Sequence, residues 1–268
     1  LAAEAGLAVL REGGNAIEAM VAAASTVAVV YPHMNSIGGD GFWLISKEGA
    51  PPLAIDACGA AAAKATKDFY RERGHAAIPG RGPHAALTAA GAISGWQAAL
   101  GVAAEWGGTM PLARLLADAI RYAKEGCAVT QGQVANTEGK LAECRDVPGF
   151  AAKFLPGGAV PALGDRFVQA DLGATFERLA EAGLDDFYRG DIAAAIAADL
   201  AAIDSPVAAG DLAAHSAKIV TPLALKIGAG TLYNMTPPTQ GLVSLLILGV
   251  YDRLRADAAD GFDFVHRL

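Results

Sequence analysis

The residues best suited by type and spacing to do chemistry fall in three short phrases. The first is a glycine-rich turn, Ser36-Ile37-Gly38-Gly39-Asp40-Gly41. Its small residues would let backbone N–H groups approach a ligand, and Asp40 adds a carboxylate. The plainer role of such glycines is close packing of the turn against a strand. The second phrase is Asp56-Ala57-Cys58-Gly59. Nothing near Cys58 in sequence would lower the pKa of its thiol, so it reads as a small, partly buried filler rather than a nucleophile. The third is Gly80-Arg81-Gly82-Pro83. Glycine on both sides of Arg81 would let the guanidinium approach an anion, and a solvated loop arginine is the plainer reading.

Missing signals narrow the chemistry further. The glycine turn lacks the Lys-Ser/Thr of a phosphate loop and precedes a strand instead of following one. HExxH, CxxC and GxSxG are absent. His33, His75, His84, His215 and His266 stand singly and read as structural. Cys58, Cys127 and Cys144 are too few and too widely spaced for a disulfide framework or a zinc site. No metal and no organic cofactor is implied. Asp185, Asp186 and Asp199 read as solubilising surface charge.

The elements that must position these phrases follow from periodicity. Leu1–Arg11 has helical spacing and ends at Gly13-Gly14, a C-cap pair. Asn15 suits the N-cap of a second helix, Ala16 to Val30, apolar on nearly every face and stopped by Pro32. Phe42–Ser46 is short and apolar enough for a buried strand, with Leu53–Asp56 as its hairpin partner. Helical periods recur over Ile93–Tyr122, broken at Gly107-Gly108 and restarted at Pro111, then over Gln131–Arg145, Leu172–Ala182 and Asp191–Leu200. Phe187–Gly190 reads as an aromatic turn, and Asp211 as the N-cap of a helix Leu212–Ser216. Pro222–Ile227 and Thr231–Met235 read as strands, followed by a helix Gly241–Leu254 and a helix-like pattern Phe262–Leu268. The order is α+β, with no internal repeat.

The 268 residues are ample for a core and read as a single domain, 1–268. Hydrophobic residues make up 53% and charged residues 18%, which excludes intrinsic disorder. The net charge of −7 and the lack of a basic run argue against a nucleic-acid partner. The longest apolar stretches, Ala19–Tyr31 and Gly241–Tyr251, fall short of the roughly 20 residues that span a bilayer. Both ends lie inside helix-like patterns, which reads as a piece of a longer polypeptide whose apolar surface another subunit covers.

Several longer phrases resemble the large subunit of the gamma-glutamyltranspeptidase family. They are Ala5–Ala16, Tyr31-Pro32-His33-Met34-Asn35-Ser36-Ile37-Gly38-Gly39-Asp40-Gly41-Phe42, Leu184–Gly190, Gly210-Asp211-Leu212, and the Pro237-Pro238 turn before an apolar helix. The resemblance runs in order along essentially the whole chain. It implies an N-terminal-nucleophile hydrolase with a four-layer αββα core, cut from one precursor, in which the new N-terminal Thr of the smaller subunit attacks an amide. The Thr amino group then serves as base to its own hydroxyl, so no His-based triad is needed. That nucleophile would lie beyond Leu268, leaving no catalytic residue in this chain. The small subunit is the implied partner, with a dimer of heterodimers the implied assembly.

The resemblance also implies a departure. In gamma-glutamyl enzymes the strand end after Ile55-Asp56 carries an Arg that pairs with the substrate α-carboxylate, and here that position falls on Cys58. A thiol cannot offer the bidentate fork. Pro237-Pro238-Thr239-Gln240-Gly241-Leu242, with His33-Met34-Asn35 and Gly41–Ile45, resembles instead the branch of the family that splits oxamate into oxalate and ammonia. The expected substrate is therefore a small acidic amide, contacted by Asp40, Cys58, Gly59 and Arg81. Glutathione hydrolysis or gamma-glutamyl transfer, an acylase acting on cephalosporins, and a non-catalytic scaffold of the same fold are the alternatives. An oxamate enzyme implies a cytoplasmic setting, whereas the gamma-glutamyl branch is commonly exported.

Overall fold

The computed structural model describes residues 1–254 and 261–267. In chain order the elements are α1 (Ala2–Arg11), α2 (Ala16–Val30), β1 (Gly41–Ile45), β2 (Leu53–Ala57), α3 (Lys67–Glu72), α4 (Ala92–Glu105) and α5 (Leu112–Glu125). Then come β3 (Cys127–Ala128), α6 (Gln131–Cys144), α7 (Phe150–Phe154), β4 (Arg166–Phe167), α8 (Ala170–Ala182), α9 (Asp186–Arg189), α10 (Asp191–Ala202) and α11 (Ala209–Ala214). The chain continues through β5 (Lys218–Val220), β6 (Leu223–Ile227), β7 (Gly230–Asn234), α12 (Gly241–Arg253) and α13 (Phe262–Arg267). Leu268, the last residue of the helix-like pattern in the sequence, lies outside the described residues. Two compact units result, one of Leu1–Gly41 with Ala57–Ser216, the other of Phe42–Asp56 with Ala217–Leu268.

The first unit is helical, and its caps follow from local chemistry. Asn15 Oδ1 accepts the backbone N–H groups of Ile17 (3.0 Å) and Glu18 (3.1 Å), which start α2. Glu18 completes a capping box by accepting the Asn15 N–H at 2.7 Å. Its other oxygen accepts the Met110 N–H at 2.8 Å, so this buried carboxylate ties α2 to the start of α5. The ring of Trp96 on α4 stacks on Phe176 of α8, centroids 6.3 Å apart. Two parts of this unit differ from expectation. Asp211 does not begin a helix; it sits inside α11 and reaches back to the N–H groups of Ala208 and Ala63, each at 2.8 Å. The helix therefore starts earlier, at Ala209.

Asp186 is the second difference: it is buried, not a surface charge. Arg178 donates to its Oδ1 at 2.8 Å, and the Ile192 N–H reaches Oδ2 at 3.1 Å. The Arg178 hydrogen bond first, then the Ile192 N–H, holds the carboxyl below its usual value against the opposing effect of burial. A depressed folded pKa contributes stability above the unfolded carboxylate range, near pH ~4, and that stability is lost as pH falls through the folded value. Asp186→Asn should therefore unfold more easily at neutral pH, by about 1–3 kcal/mol. It should also lose less of its remaining stability on acidification than the wild type. Urea midpoints measured between neutral and acid pH check this, and parallel acid limbs for the two proteins would contradict it.

The second unit carries a three-stranded sheet in the order β1-β2-β5. β2 and β5 run antiparallel with Ala54 opposite Val220, Ile55 opposite Ile219 and Asp56 opposite Lys218. β6 and β7 form an antiparallel hairpin with Leu223 opposite Asn234. Helix α12 packs on that hairpin through Gly241, Leu245 and Gly249, a stripe at fourfold spacing. Its other apolar residues, among them Leu242, Val243, Leu246, Ile247 and Val250, are exposed. No described helix is long and apolar enough to cross a membrane.

Candidate functional site

The glycine turn is held from both sides by backbone. Ser36 Oγ accepts the Gly38 N–H at 3.1 Å. The Gly39 carbonyl accepts the N–H groups of Gly91 and Ala92, both at 2.8 Å, so the first residues of α4 seat the turn. Asp40 then projects onto the end of β2: its Oδ1 accepts the Gly59 N–H at 2.8 Å, and the Cys58 thiol lies 3.6 Å from its Oδ2. Asp40, Cys58 and Gly59, far apart in sequence, thus form one corner.

Two glycines make that corner possible. The segment after β2 runs beside residues 87–91, with Ala62 N–H on the Leu87 carbonyl at 2.8 Å and Ala89 N–H on the Ala60 carbonyl at 3.0 Å. The approach is so close that a Cβ on Gly59 would stand 1.6 Å from the Ala89 oxygen, and one on Gly91 1.7 Å from the Ala57 oxygen. Below them lies a buried polar brace that the sequence did not reveal. Tyr188 donates its hydroxyl to the Ala90 carbonyl at 2.8 Å and accepts the Ser94 N–H at 2.9 Å. Ser94 Oγ lies 2.9 Å from His215 Nε2, and Arg189 donates to the His215 carbonyl at 2.9 Å. Burial pushes the Tyr188 phenol up, so it stays a neutral donor. The phrase Phe187-Tyr188-Arg189, expected as an aromatic turn, lies in the short helix α9, and no local signal ties it to Ser94.

A polar cavity of about 350 Å³ opens beside Asp40, lined also by Pro32, His33, Met34, Asn35 and Ser36. The His33 ring rests on Tyr31, centroids 4.1 Å apart, and burial pulls its pKa down, which keeps the imidazole neutral at pH 7. Ile37 and Gly38 border a second, apolar cavity of about 470 Å³ walled by Phe187, Ile192, Ile196 and Leu200. Arg81 does not join the corner. Its Nε lies 3.4 Å from Glu143 Oε2 and its Nη1 donates to the Gly80 carbonyl at 3.2 Å, with the side chain half exposed. Glu143 in turn is held below the usual carboxylate value by the Lys140 hydrogen bond first and by Arg81 less strongly. The three cysteines are free thiols, and burial raises that of Cys127.

Chemically, the corner presents a fixed carboxylate, a thiol and a polar cavity; among the described residues it contains no base poised on a hydroxyl within it. What it offers is a place to bind and orient.

The chain belongs to the gamma-glutamyltranspeptidase family, whose model matches residues 2–268. It is 53% identical over 269 aligned residues to the oxamate amidohydrolase proenzyme of Klebsiella pneumoniae, covering all of this chain and 51% of that protein. Among solved structures it resembles the gamma-glutamyltranspeptidase of Helicobacter pylori, with a TM-score of 0.89 at 30% identity, covering 99% of this chain and 77% of that one. It also resembles the cephalosporin acylase of Bacillus halodurans, with a TM-score of 0.90 at 30% identity, covering 99% of this chain and 50% of that one. The chain spans about half the length of the curated relatives it matches. The mixed helix-and-sheet fold is that of this family.

Proposed function

We propose that this chain is the larger part of a self-cleaving amidohydrolase that splits the amide of a small acidic substrate, with oxamate favoured. The observation that carries this reading is the 53% identity to an oxamate amidohydrolase proenzyme over the whole chain. In this reading the N-terminal Thr of a second chain attacks the amide carbon, ammonia leaves, and water cleaves the resulting ester to release oxalate. The Thr amino group takes and returns the proton.

The Asp40 corner forms the wall against which the substrate is oriented, with Asp40 fixing Gly59 and Cys58 at its edge. The carboxylate of oxamate needs a cation, and we assign it to Arg81, whose partner Glu143 is a half-exposed surface carboxylate. A screened pair of that kind holds Arg81 only weakly, so a better anion can draw it away. The second chain also covers the apolar side chains that α12 exposes together, among them Leu242, Val243, Leu246, Ile247 and Val250. Glutathione hydrolysis is the second reading, favoured by the match to a gamma-glutamyltranspeptidase structure.

Cleavage tests the reading. Expressed with its continuation, the precursor should yield two chains, the smaller beginning with Thr, and replacing that Thr by Ala should abolish both cleavage and ammonia release from oxamate. Residues 1–268 expressed alone should bind a hydrophobic dye. An uncut precursor that still releases ammonia would refute the assignment of the nucleophile.

A further inference from the structure

A basic pocket lies along α3, lined by residues that the Asp40 corner does not use. It is a cavity of about 310 Å³, lined among others by Thr66, Lys67, Tyr70, Arg71, His75 and Ile78. Among the described residues no aspartate or glutamate lines it, in a chain with 28 acidic against 21 basic residues. Arg71 lies 3.6 Å from Asp68 in an exposed pair. The Tyr70 hydroxyl donates to the His84 carbonyl at 3.1 Å.

Behind the pocket two imidazoles stand in line with a clamped carboxylate. His75 Nε2 lies 2.7 Å from His84 Nδ1, and His84 Nε2 lies 3.5 Å from Asp204 Oδ2. Arg73 holds both oxygens of Asp204, at 2.7 Å and 2.9 Å. The Arg73 hydrogen bond keeps Asp204 ionised, and Asp204 therefore only accepts. An acceptor-only carboxylate at that end favours one pair of tautomers. His84 carries its proton on Nε2, facing Asp204, which leaves its Nδ1 to accept from His75 Nε2–H. Of the two unprotonated ring nitrogens, His84 Nδ1 then accepts from His75, and His75 Nδ1 is the one that this hydrogen bond leaves unused. One proton can be added there with no hydrogen bond lost; a second, on His84 Nδ1, would face another N–H. The other charged groups around this line are Glu72 on α3 and Lys64, which precedes it; they border, with Asp68, Arg73 and Asp204, a separate hollow.

We propose that this pocket binds a small, doubly charged oxyanion, and that binding draws one proton onto the His75–His84 pair. Lys67 and Arg71 supply the fixed positive charge, and the bound anion favours the imidazolium at His75. Dicarboxylates such as oxalate and inorganic dianions such as sulfate share the required chemistry, and neither takes up a proton itself near neutral pH. The site is independent of the amidohydrolase reading, whose failure would leave it standing.

Titration calorimetry of the whole processed protein with oxalate and with sulfate, in buffers of different ionisation heat, tests this. Binding with proton uptake is expected. Lys67→Ala and Arg71→Ala, both exposed and outside any core, should each weaken it about tenfold. His75→Gln keeps a donor for His84 but cannot charge, so it should bind without proton uptake. Binding of both ions marks a general dianion site, and binding of oxalate alone a dicarboxylate site. No binding, binding indifferent to Lys67→Ala and Arg71→Ala, or uptake that persists in His75→Gln would overturn the proposal.

Discussion

Gly59→Ala is expected to destabilise the protein by about 3 kcal/mol or more, and Gly91→Ala by a similar amount. Neither glycine is demanded by a left-handed backbone; the cause is space. The added methyl carbon would stand 1.6 Å from the Ala89 oxygen or 1.7 Å from the Ala57 oxygen, and backbone carbonyls cannot swing aside as a flexible side chain can. The two segments would have to part, breaking the Ala89–Ala60 hydrogen bond and moving Gly59 away from Asp40. Gly80→Ala is the matched control: nothing lies within 4 Å of its Cβ position, so its urea midpoint should stay at the wild-type value. Wild-type midpoints for Gly59→Ala and Gly91→Ala would contradict the close approach.

Cys58→Arg should change what the enzyme selects. The thiol is half-buried and its Sγ lies 3.6 Å from Asp40 Oδ2, so an arginine there would find a carboxylate to orient it at the edge of the corner. It would offer the fork that an amino-acid α-carboxylate needs, at the cost of filling space left to a smaller substrate. A carboxylate pair of this kind contributes about 2–5 kcal/mol. The expected result is a kcat/KM on oxamate lower by tenfold or more and a gain on glutathione. Arg81→Ala, in the same assays, should raise KM for oxamate by a comparable factor with cleavage of the precursor intact. An unchanged preference in Cys58→Arg would remove that residue from the binding wall, and wild-type kinetics in Arg81→Ala would return Arg81 to Glu143.

The parts of this structure legible in the sequence are those set by neighbours. Asn15, read as the N-cap of α2, is that cap in the fold, and Glu18 three residues on completes the box. The hairpin β6–β7 and helix α12 fall within a residue or two of their patterns. By contrast β5 is only three residues long and pairs with β2, distant in the chain, so no local period could reveal it. Asp186 looked like surface charge because its partners Arg178 and the Ile192 N–H meet it only once α8, α9 and α10 have packed. The site divides the same way. Asp40, Cys58 and Gly59 were picked from local phrases, and the fold brings them within contact. The Arg81–Glu143 pair and the Tyr188–Ser94 brace are side-chain meetings across the unit, which carry no signature at either end.

The account turns on which amide the processed two-chain protein prefers. Its kcat/KM for ammonia release from oxamate, set against its kcat/KM for glutamate release from glutathione, decides this in one pair of assays. The similarity along the whole chain and the thiol at residue 58 predict a clear preference for oxamate. A clear preference for glutathione would contradict the account and make this chain part of a gamma-glutamyl hydrolase.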